Sequence, residues 1–268
     1  MAKKKTGVIV SGAFGRMGRQ VVAAISAEDD MHVVGALDVA GAGTDAGEAA
    51  GIGALGVAIS DNLGQVVKTP GAQVMVDFTI AKDFARRATA ALNAGLNLVV
   101  GTTGIPDADL KKIEKLAAEK KRGVIVAPNF AIGAVLMMQF AQKAAQYMPA
   151  VEIIELHHDQ KRDAPSGTAL YTAELIAEAK KGLPKHKDPT EAEKIKGVRG
   201  GKLDDIAVHS VRLPGFLAHQ EVIFGGLGQT LTIRHDSGSR EAFMPGVVLG
   251  VRKVRALRKY VFGLESLI

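Results

Sequence analysis

A strand that runs straight into a glycine turn and then a helix does most to restrict the fold of this chain. Thr6 to Ser11 (TGVIVS) is a short, β-rich apolar run that leads directly into Gly12-Ala13-Phe14-Gly15-Arg16-Met17-Gly18. From Arg19 to Ala27, Val21, Val22 and Ile25 recur at helical spacing. A helix that starts at such a turn presents unpaired backbone N–H groups there, which favour a phosphate. Gly12 permits the tight turn, Gly15 lets a pyrophosphate approach the backbone, and Gly18 lets the helix pack on the sheet. The spacing is G-x-x-G-x-x-G rather than G-x-G-x-x-G, and a glycine motif by itself is as often a plain turn. Asp38 adds the discriminating feature. It ends the second expected strand, His32–Leu37, twenty residues past Gly18, where a carboxylate can accept hydrogen bonds from both hydroxyls of an adenosine ribose. Strand, glycines, helix and acid together predict a bound dinucleotide.

Further buried-type strands at Val74–Phe78, Leu96–Val100 and Val124–Ala127 alternate with helices at Lys82–Asn93 and Asp107–Lys121. This alternation predicts an α/β domain, a Rossmann-like doubly wound parallel sheet. Ligands of such sheets sit at the carboxyl ends of strands. Gly101-Thr102-Thr103-Gly104 and Ala127-Pro128-Asn129-Phe130 end two of these strands and are placed to touch the nicotinamide half of the cofactor, although either also suffices as a plain connection. After Pro128 the pattern changes to a helix at Ala134–Tyr147, a strand at Val151–Leu156 and a helix at Thr168–Lys180. Gly182–Asp205, polar and rich in Gly, Pro and Lys, is expected to be a long mobile loop. Ile206–Leu213, His219–Gly225 and Gln229–His235 are expected to be antiparallel strands that form a second sheet with Val151–Leu156, and Glu241–Tyr260 to be helix. The expected division is a dinucleotide-binding domain of residues 1–130 and 241–268, and an α+β domain of residues 131–240 with a mixed or antiparallel sheet, for substrate binding and oligomerisation. With the two sites on different domains, closure about hinges near Phe130 and Arg240 is expected.

The second motif is Glu155-Leu156-His157-His158-Asp159-Gln160-Lys161-Arg162-Asp163-Ala164-Pro165-Ser166-Gly167-Thr168-Ala169. Ser166 is placed to N-cap a helix beginning near Thr168, and the amides of that helix start favour an anion. Lys161 adds positive charge, and the histidines can move protons near neutral pH. A small dicarboxylate suits such a site. Taken bare, a His-His pair is more often a strand end with one ring buried and one solvated. Adjacent strand residues point to opposite faces, so the pair is not expected to share a metal.

Composition narrows the class. The chain contains no cysteine and no tryptophan. Disulfides, thiolate metal sites and cysteine nucleophiles are excluded, and a reducing, cytoplasmic setting fits. The core must be built mainly from Val, Ile, Leu, Ala and Met. The apolar run after the Met1–Lys5 start is too short for a secretory signal, and no run is long enough to span a membrane. The net charge of +6 is scattered, with short runs at Lys3–Lys5, Lys180–Lys187 and Arg252–Lys259. The runs lack the interleaved aromatics of a nucleic-acid binder, so a solvated surface or the steering of anionic ligands is expected instead.

With these pieces assembled, the chain resembles the dihydrodipicolinate reductase family, the 4-hydroxy-tetrahydrodipicolinate reductases of the diaminopimelate route to lysine. The resemblance runs nearly end to end and rests most on Gly12–Gly18 (GAFGRMG), Asp77-Phe78-Thr79, Gly101–Gly104 (GTTG), Ala127–Gly133 (APNFAIG) and Glu155–Ala169. It implies an NAD(P)H-dependent reductase that adds hydride to a conjugated imine ring. It assigns His157 to proton relay and Lys161 to proton donation, and it gives His158, Gly167 and Thr168 to the substrate carboxylates. Gly12, Ala13, Phe14, Gly15, Arg16, Met17, Asp38, Gly101, Thr102, Thr103, Ala127, Pro128, Asn129 and Phe130 match cofactor positions. It also implies a homotetramer. Two departures stand out: Val39 follows the ribose acid where some members carry arginine, and Asp159-Gln160 stands where some carry a base.

The acid at position 38 repels a 2′-phosphate, and Val39, Ala40 and Gly41 do nothing to offset it. NADH is therefore expected to serve at least as well as NADPH, with Arg16 able to admit the latter. Among rivals, a semialdehyde dehydrogenase needs a cysteine nucleophile and is excluded. Another two-domain reductase of a small anionic substrate, of the homoserine-dehydrogenase or biliverdin-reductase kind, remains open. A non-catalytic NADH-binding regulator would need a DNA-binding segment, and the chain is expected to have no room for one before its first strand.

Overall fold

The β-branched runs that open the chain line up side by side in one parallel sheet. The computed structural model describes residues 5–183, 185, 189 and 192–268; the basic runs Lys3–Lys5 and Lys180–Lys187 and the polar stretch Gly182–Asp205 lie partly outside the described residues. In chain order the elements are β1 (Thr6–Ser11), α1 (Arg16–Ser26), β2 (Met31–Leu37), α2 (Ala46–Ala50), β3 (Ile59–Ser60), α3 (Leu63–Val66), β4 (Ala72–Asp77), α4 (Phe84–Asn93), β5 (Asn97–Val100), α5 (Asp107–Lys120) and β6 (Val124–Val126). They continue as α6 (Ile132–Ala145), β7 (Ala150–His157), α7 (Gly167–Ala179), β8 (Gly201–Leu203), β9 (Ile206–Arg212), β10 (Ala218–Gly226) and β11 (Gln229–Ser237), and end with α8 (Met244–Leu257) and β12 (Tyr260–Phe262). Two compact units result, Met1–Phe130 with Phe243–Ile268, and Ala131–Ala242. Among the described residues no helix is long and apolar enough to cross a membrane.

The first unit carries a seven-stranded sheet in the order β12-β6-β5-β4-β1-β2-β3, with every recorded pairing parallel. Helices α4 and α5 pack on one face, where Phe84, Leu92 and Ile113 meet Ile9, Met75 and Leu98 in a sealed aliphatic core. Helices α1 and α8 pack against each other and on the sheet. Strand order reverses beside β1, so the carboxyl ends of β1, β2 and β4 border the crevice where such sheets bind ligands. Two expectations fail here. The run Glu241–Tyr260 is not one helix: a 3-10 turn, Arg240–Phe243, precedes α8, and Tyr260 opens the edge strand β12. Pro245 sits in the first turn of α8 and Arg258 ends it in a left-handed conformation, a stop that a sequence pattern of apolar periodicity does not show. The short elements α2, β3 and α3 went unpredicted because each is too brief to display a period.

The second unit carries a five-stranded sheet in the order β11-β10-β7-β9-β8, with α6 and α7 packed against its strands. Burial alternates along two of its strands: Val151, Ile153 and Glu155 of β7 are buried, as are Gln220, Val222 and Phe224 of β10. The sheet is mixed: β9 lies parallel to β7, while β10 pairs antiparallel on the other side of β7. The connection from β9 to β10 thus passes across the end of β7, where Leu213 N donates to His157 O at 3.1 Å. Strand β8 also interrupts the stretch expected to be loop throughout.

Close packing of α8 on the first sheet makes a testable demand. A Cβ at Gly123 would lie 1.8 Å from the Val254 carbonyl oxygen of α8, and backbone cannot step aside as a flexible side chain can. Gly123→Ala is expected to lower unfolding free energy by roughly 1–3 kcal/mol. Urea denaturation measures this, and an unchanged midpoint would show that α8 is not held as described.

Candidate active site

Local backbone geometry builds the first part of the site. Gly12 adopts φ +85°, and a Cβ there would lie 2.6 Å from Phe78 O. At Gly15, the N-cap of α1, a Cβ would approach Gly12 O to 3.2 Å. Gly18 is tighter still, with a Cβ 1.9 Å from Gly12 O, so it packs the helix against the glycine loop itself rather than only on the sheet. Asp38 braces the same loop. Its Oδ2 accepts from Phe14 N at 2.9 Å and its Oδ1 from Ala40 N at 3.0 Å. Arg19 donates to Phe14 O and lies 4.3 Å over the Phe14 ring.

These residues border a cavity of about 630 Å³ at the ends of β1, β2 and β4. Gly12, Gly15, Arg16, Met17 and Asp38 line it as the sequence suggested, and Lys82 and Arg86 from the start of α4 add positive charge that the sequence did not flag. Bare backbone, a helix start and basic side chains fit a phosphate-bearing dinucleotide. Ala13 is fully buried beneath the loop. The remaining candidates, Gly101 to Thr103 and Ala127 to Phe130, follow β5 and β6 and do not line this cavity. A Cβ on Gly101 would overlap the Phe78 ring at 2.1 Å, and Phe78 in turn meets Phe130 with ring centroids 5.5 Å apart. Ala127 and Phe130 are buried, Pro128 and Asn129 half-buried, and Thr103 exposed.

Beneath these turns lies a buried ion pair whose role the sequence did not reveal. Asp77, 1% exposed, accepts from Arg87 Nε at 2.9 Å, Thr79 Oγ1 at 2.6 Å, Thr102 Oγ1 at 2.7 Å and Ser11 Oγ at 3.3 Å. Arg87 also donates to the carbonyls of Ile80 and Lys82 and to the Thr79 hydroxyl. One carboxylate therefore ties the ends of β1, β4 and β5 to α4. The hydroxyl of Thr102 is committed to this cluster. Arg87 sits on a helix with no motif around it, so only packing reveals the pair.

In the second unit β7 ends at His157, and two residues earlier on the same face stands Glu155, which is fully buried. Its carboxylate meets His157 Nδ1 at 2.5 Å, accepts from Arg212 Nη1 at 2.8 Å and Nη2 at 2.7 Å, and accepts from Ser166 N at 3.1 Å. Burial alone would raise the carboxyl pKa, but hydrogen bonds from His157 and Arg212 outweigh it and hold the group at about 2. Ser166 caps α7 as expected, accepting from Ala169 N at 3.2 Å. A Cβ on Gly167 would meet nothing within 4 Å, so the helix start opens onto free space. Thr168, which follows in the first turn, and His158, just past the end of β7, are half-buried. Lys161 Nζ holds both oxygens of Asp163 at 2.7 Å, and the lysine in turn lowers the Asp163 pKa. Arg212 donates to Asp163 O at 2.8 Å. The structure thus gathers His157, Ser166 and the Lys161 loop around Glu155 and Arg212. Strand alternation was the signal available for Glu155, since an acid in the buried register beside Val151 and Ile153 needs a partner.

Comparison with known proteins identifies the family. The N-terminal domain model of dihydrodipicolinate reductase matches residues 6–130, and the C-terminal model matches residues 133–268. The 4-hydroxy-tetrahydrodipicolinate reductase of Desulfitobacterium hafniense is 56% identical over 264 residues, 98% of each chain. That of Moorella thermoacetica is 51% identical over 261 residues, 97% of each chain. The solved structure of dipicolinate-bound dihydrodipicolinate reductase from Paenisporosarcina sp. TG-14 superposes with a TM-score of 0.86 at 43% identity, covering 98% of this chain and 100% of the other.

The Glu155 cluster sets an acid sensitivity. Folding lowers this carboxyl from its ordinary 4.5 to about 2. Its contribution to stability is present above the unfolded value and is lost as pH falls through the folded one. Between about pH 5 and about pH 2 the wild type is expected to lose more unfolding free energy than Glu155→Gln does. Parallel loss in both proteins, followed by chemical denaturation, would show that Glu155 carries no such linkage.

Proposed function

This chain belongs to the dihydrodipicolinate reductase family: it is a pyridine-nucleotide-dependent oxidoreductase that reduces 4-hydroxy-tetrahydrodipicolinate in lysine biosynthesis, and we propose how its residues divide that reaction. When bound, the reduced nicotinamide supplies the hydride. The glycine loop Gly12–Gly18 and the start of α1 hold the pyrophosphate, and Asp38 accepts from the adenosine ribose. The turns Gly101–Thr103 and Ala127–Phe130 border the nicotinamide half. In the second unit the amides of Gly167 and Thr168, with His158, fix the substrate carboxylates. Negative charge that develops on the ring is neutralised by a proton from Lys161, with His157 as relay. The observation that carries this reading is the single buried carboxylate of Glu155, which joins the proton-moving His157 to the anion-binding start of α7. Lys161, 19% exposed, is paired with Asp163, whose side chain is 66% exposed, so a substrate carboxylate arriving from solvent would compete with Asp163 for the ammonium. The direct assay is NADH oxidation on adding the product of the preceding synthase, generated in place; no oxidation above the synthase-free control would defeat the reading.

The same proposal extends to cytoplasmic location and to homotetramer formation through the second unit's sheet, where Leu227 is fully exposed and Leu231 partly so.

Two predictions test the residue roles. His157→Gln and Lys161→Ala are each expected to lower kcat by about 10²–10⁴-fold while leaving the NADH dissociation constant unchanged, and His158→Gln to raise substrate KM. Near-normal turnover in a stably folded double variant at positions 157 and 161 would remove these roles. For cofactor choice, Asp38 disfavours a 2′-phosphate and Val39 is 90% exposed with no charge to offset it, whereas Arg16, Lys82 and Arg86 leave NADPH admissible. We expect kcat/KM with NADH to equal or exceed that with NADPH, and Val39→Arg to shift the ratio toward NADPH. A wild-type preference for NADPH above about tenfold would contradict it.

A further inference from the structure

We propose that Glu155 is a positioning residue that selects the tautomer of His157, placing the ring proton on Nδ1 and making Nε2 the atom through which the ring relays protons. The inference rests on the reading of His157 as the proton-moving residue. Glu155 is fully buried and is held ionised by Arg212 and His157. An ionised carboxylate only accepts hydrogen bonds. The 2.5 Å contact with Nδ1 is therefore an N–H donated by the histidine. Among the described residues none is recorded bonding to Nε2. That atom is a lone-pair acceptor in the neutral ring and an N–H donor in the imidazolium. As Lys161 gives a proton to the reduced ring, one lysine N–H bond breaks and one bond forms on the substrate; proton release from Nε2 then restores the lysine N–H and leaves a neutral imidazole with Nδ1–H still on Glu155. Water returns the proton to Nε2 afterwards, and Nδ1 need never change state.

Arg212 makes the selection one-sided. It sits opposite His157 in the β7–β9 register and donates to both oxygens of Glu155. The carboxylate cannot rotate without leaving Arg212 or Ser166 N unmatched. A buried charge stripped of its partner is strongly disfavoured, so the carboxylate plane, and with it the imidazole plane, is set by groups outside the reacting site. Arg212 also reaches the Asp163 carbonyl, which ties the loop bearing Lys161 to the same anchor.

Glu155→Gln is the informative variant. Its amide keeps the size of the side chain but must place an NH₂ at one end. Ser166 N is a backbone donor that cannot become an acceptor, so the NH₂ is favoured at the His157 end. There Nδ1 can accept it, and the ring proton moves to Nε2. Nitrogen-15 NMR of histidine-labelled enzyme, with His157 identified by its disappearance in His157→Gln, reads the tautomer of the neutral ring directly. The wild type should show Nδ1–H and Glu155→Gln should show Nε2–H. Turnover of folded Glu155→Gln should fall by at least about 100-fold, since a reversed histidine tautomer costs as much or more in a catalytic triad. Its NADH dissociation constant should be unchanged. A purely structural Glu155 predicts instead reduced thermal stability, with kcat per folded molecule and the tautomer both intact. Wild-type His157 found as Nε2–H overturns the proposal whether or not the variant folds, as does wild-type kcat in folded Glu155→Gln. Normal turnover in His157→Gln is a separate failure, because it removes the role assigned to His157 while leaving the NMR signal of the wild type as expected.

Discussion

A carboxylate removed from water must have its lone pairs met, and the Glu155 side chain at the end of β7 imposes that demand on everything around it. Isolated, such a charge costs several kcal/mol to bury. Here two bonds from Arg212, one from His157 and one from Ser166 N meet it. Each partner belongs to a different segment: the strand end, the neighbouring strand β9, and the start of α7. The parallel pairing of β9 with β7 is what brings Arg212 within reach. The local geometry of the second unit around the end of β7 therefore follows from satisfying one buried anion.

The cofactor half repeats the device with different parts. Asp77 ends β4, is buried, and is met by Arg87 and the hydroxyls of Ser11, Thr79 and Thr102. It locks together three strand ends that must stay in register if the turns after them are to meet a ligand. Close backbone contacts at Gly12 and Gly18 do the rest. Both units set these turns on buried, multiply bonded carboxylates, which hold the backbone around them in place. Lys161 is the contrast. Its partner Asp163 is largely exposed, whereas the partner of His157, Glu155, is fully buried.

Much of the fold was legible because it is local. β1, α1, β2, α5, α6 and α7 lie within a few residues of where their apolar periods put them. The glycine spacing, the Ser166 cap and the position of Asp38 each carry a mechanism readable from adjacent residues. The errors share a cause. The edge strand β12 and the short strand β8 depend on which distant strand offers a free edge, and no window of sequence records that. The partnerships of Asp77 with Arg87 and of Glu155 with Arg212 span gaps no motif bridges.

The sequence by itself determined the chemistry available to this protein: a phosphate-binding turn, an acid for a ribose, two histidines and a lysine beside a helix start, and no thiol. Periodicity and capping act over one or two turns of chain, which is why these features survive without tertiary information. Only the tertiary structure decided how that chemistry is aimed. His157 meets a buried glutamate that an arginine from another strand also holds, and Thr102 is committed to a buried aspartate. Burial creates these constraints, because a polar group is bound to a particular partner only once water is no longer an alternative.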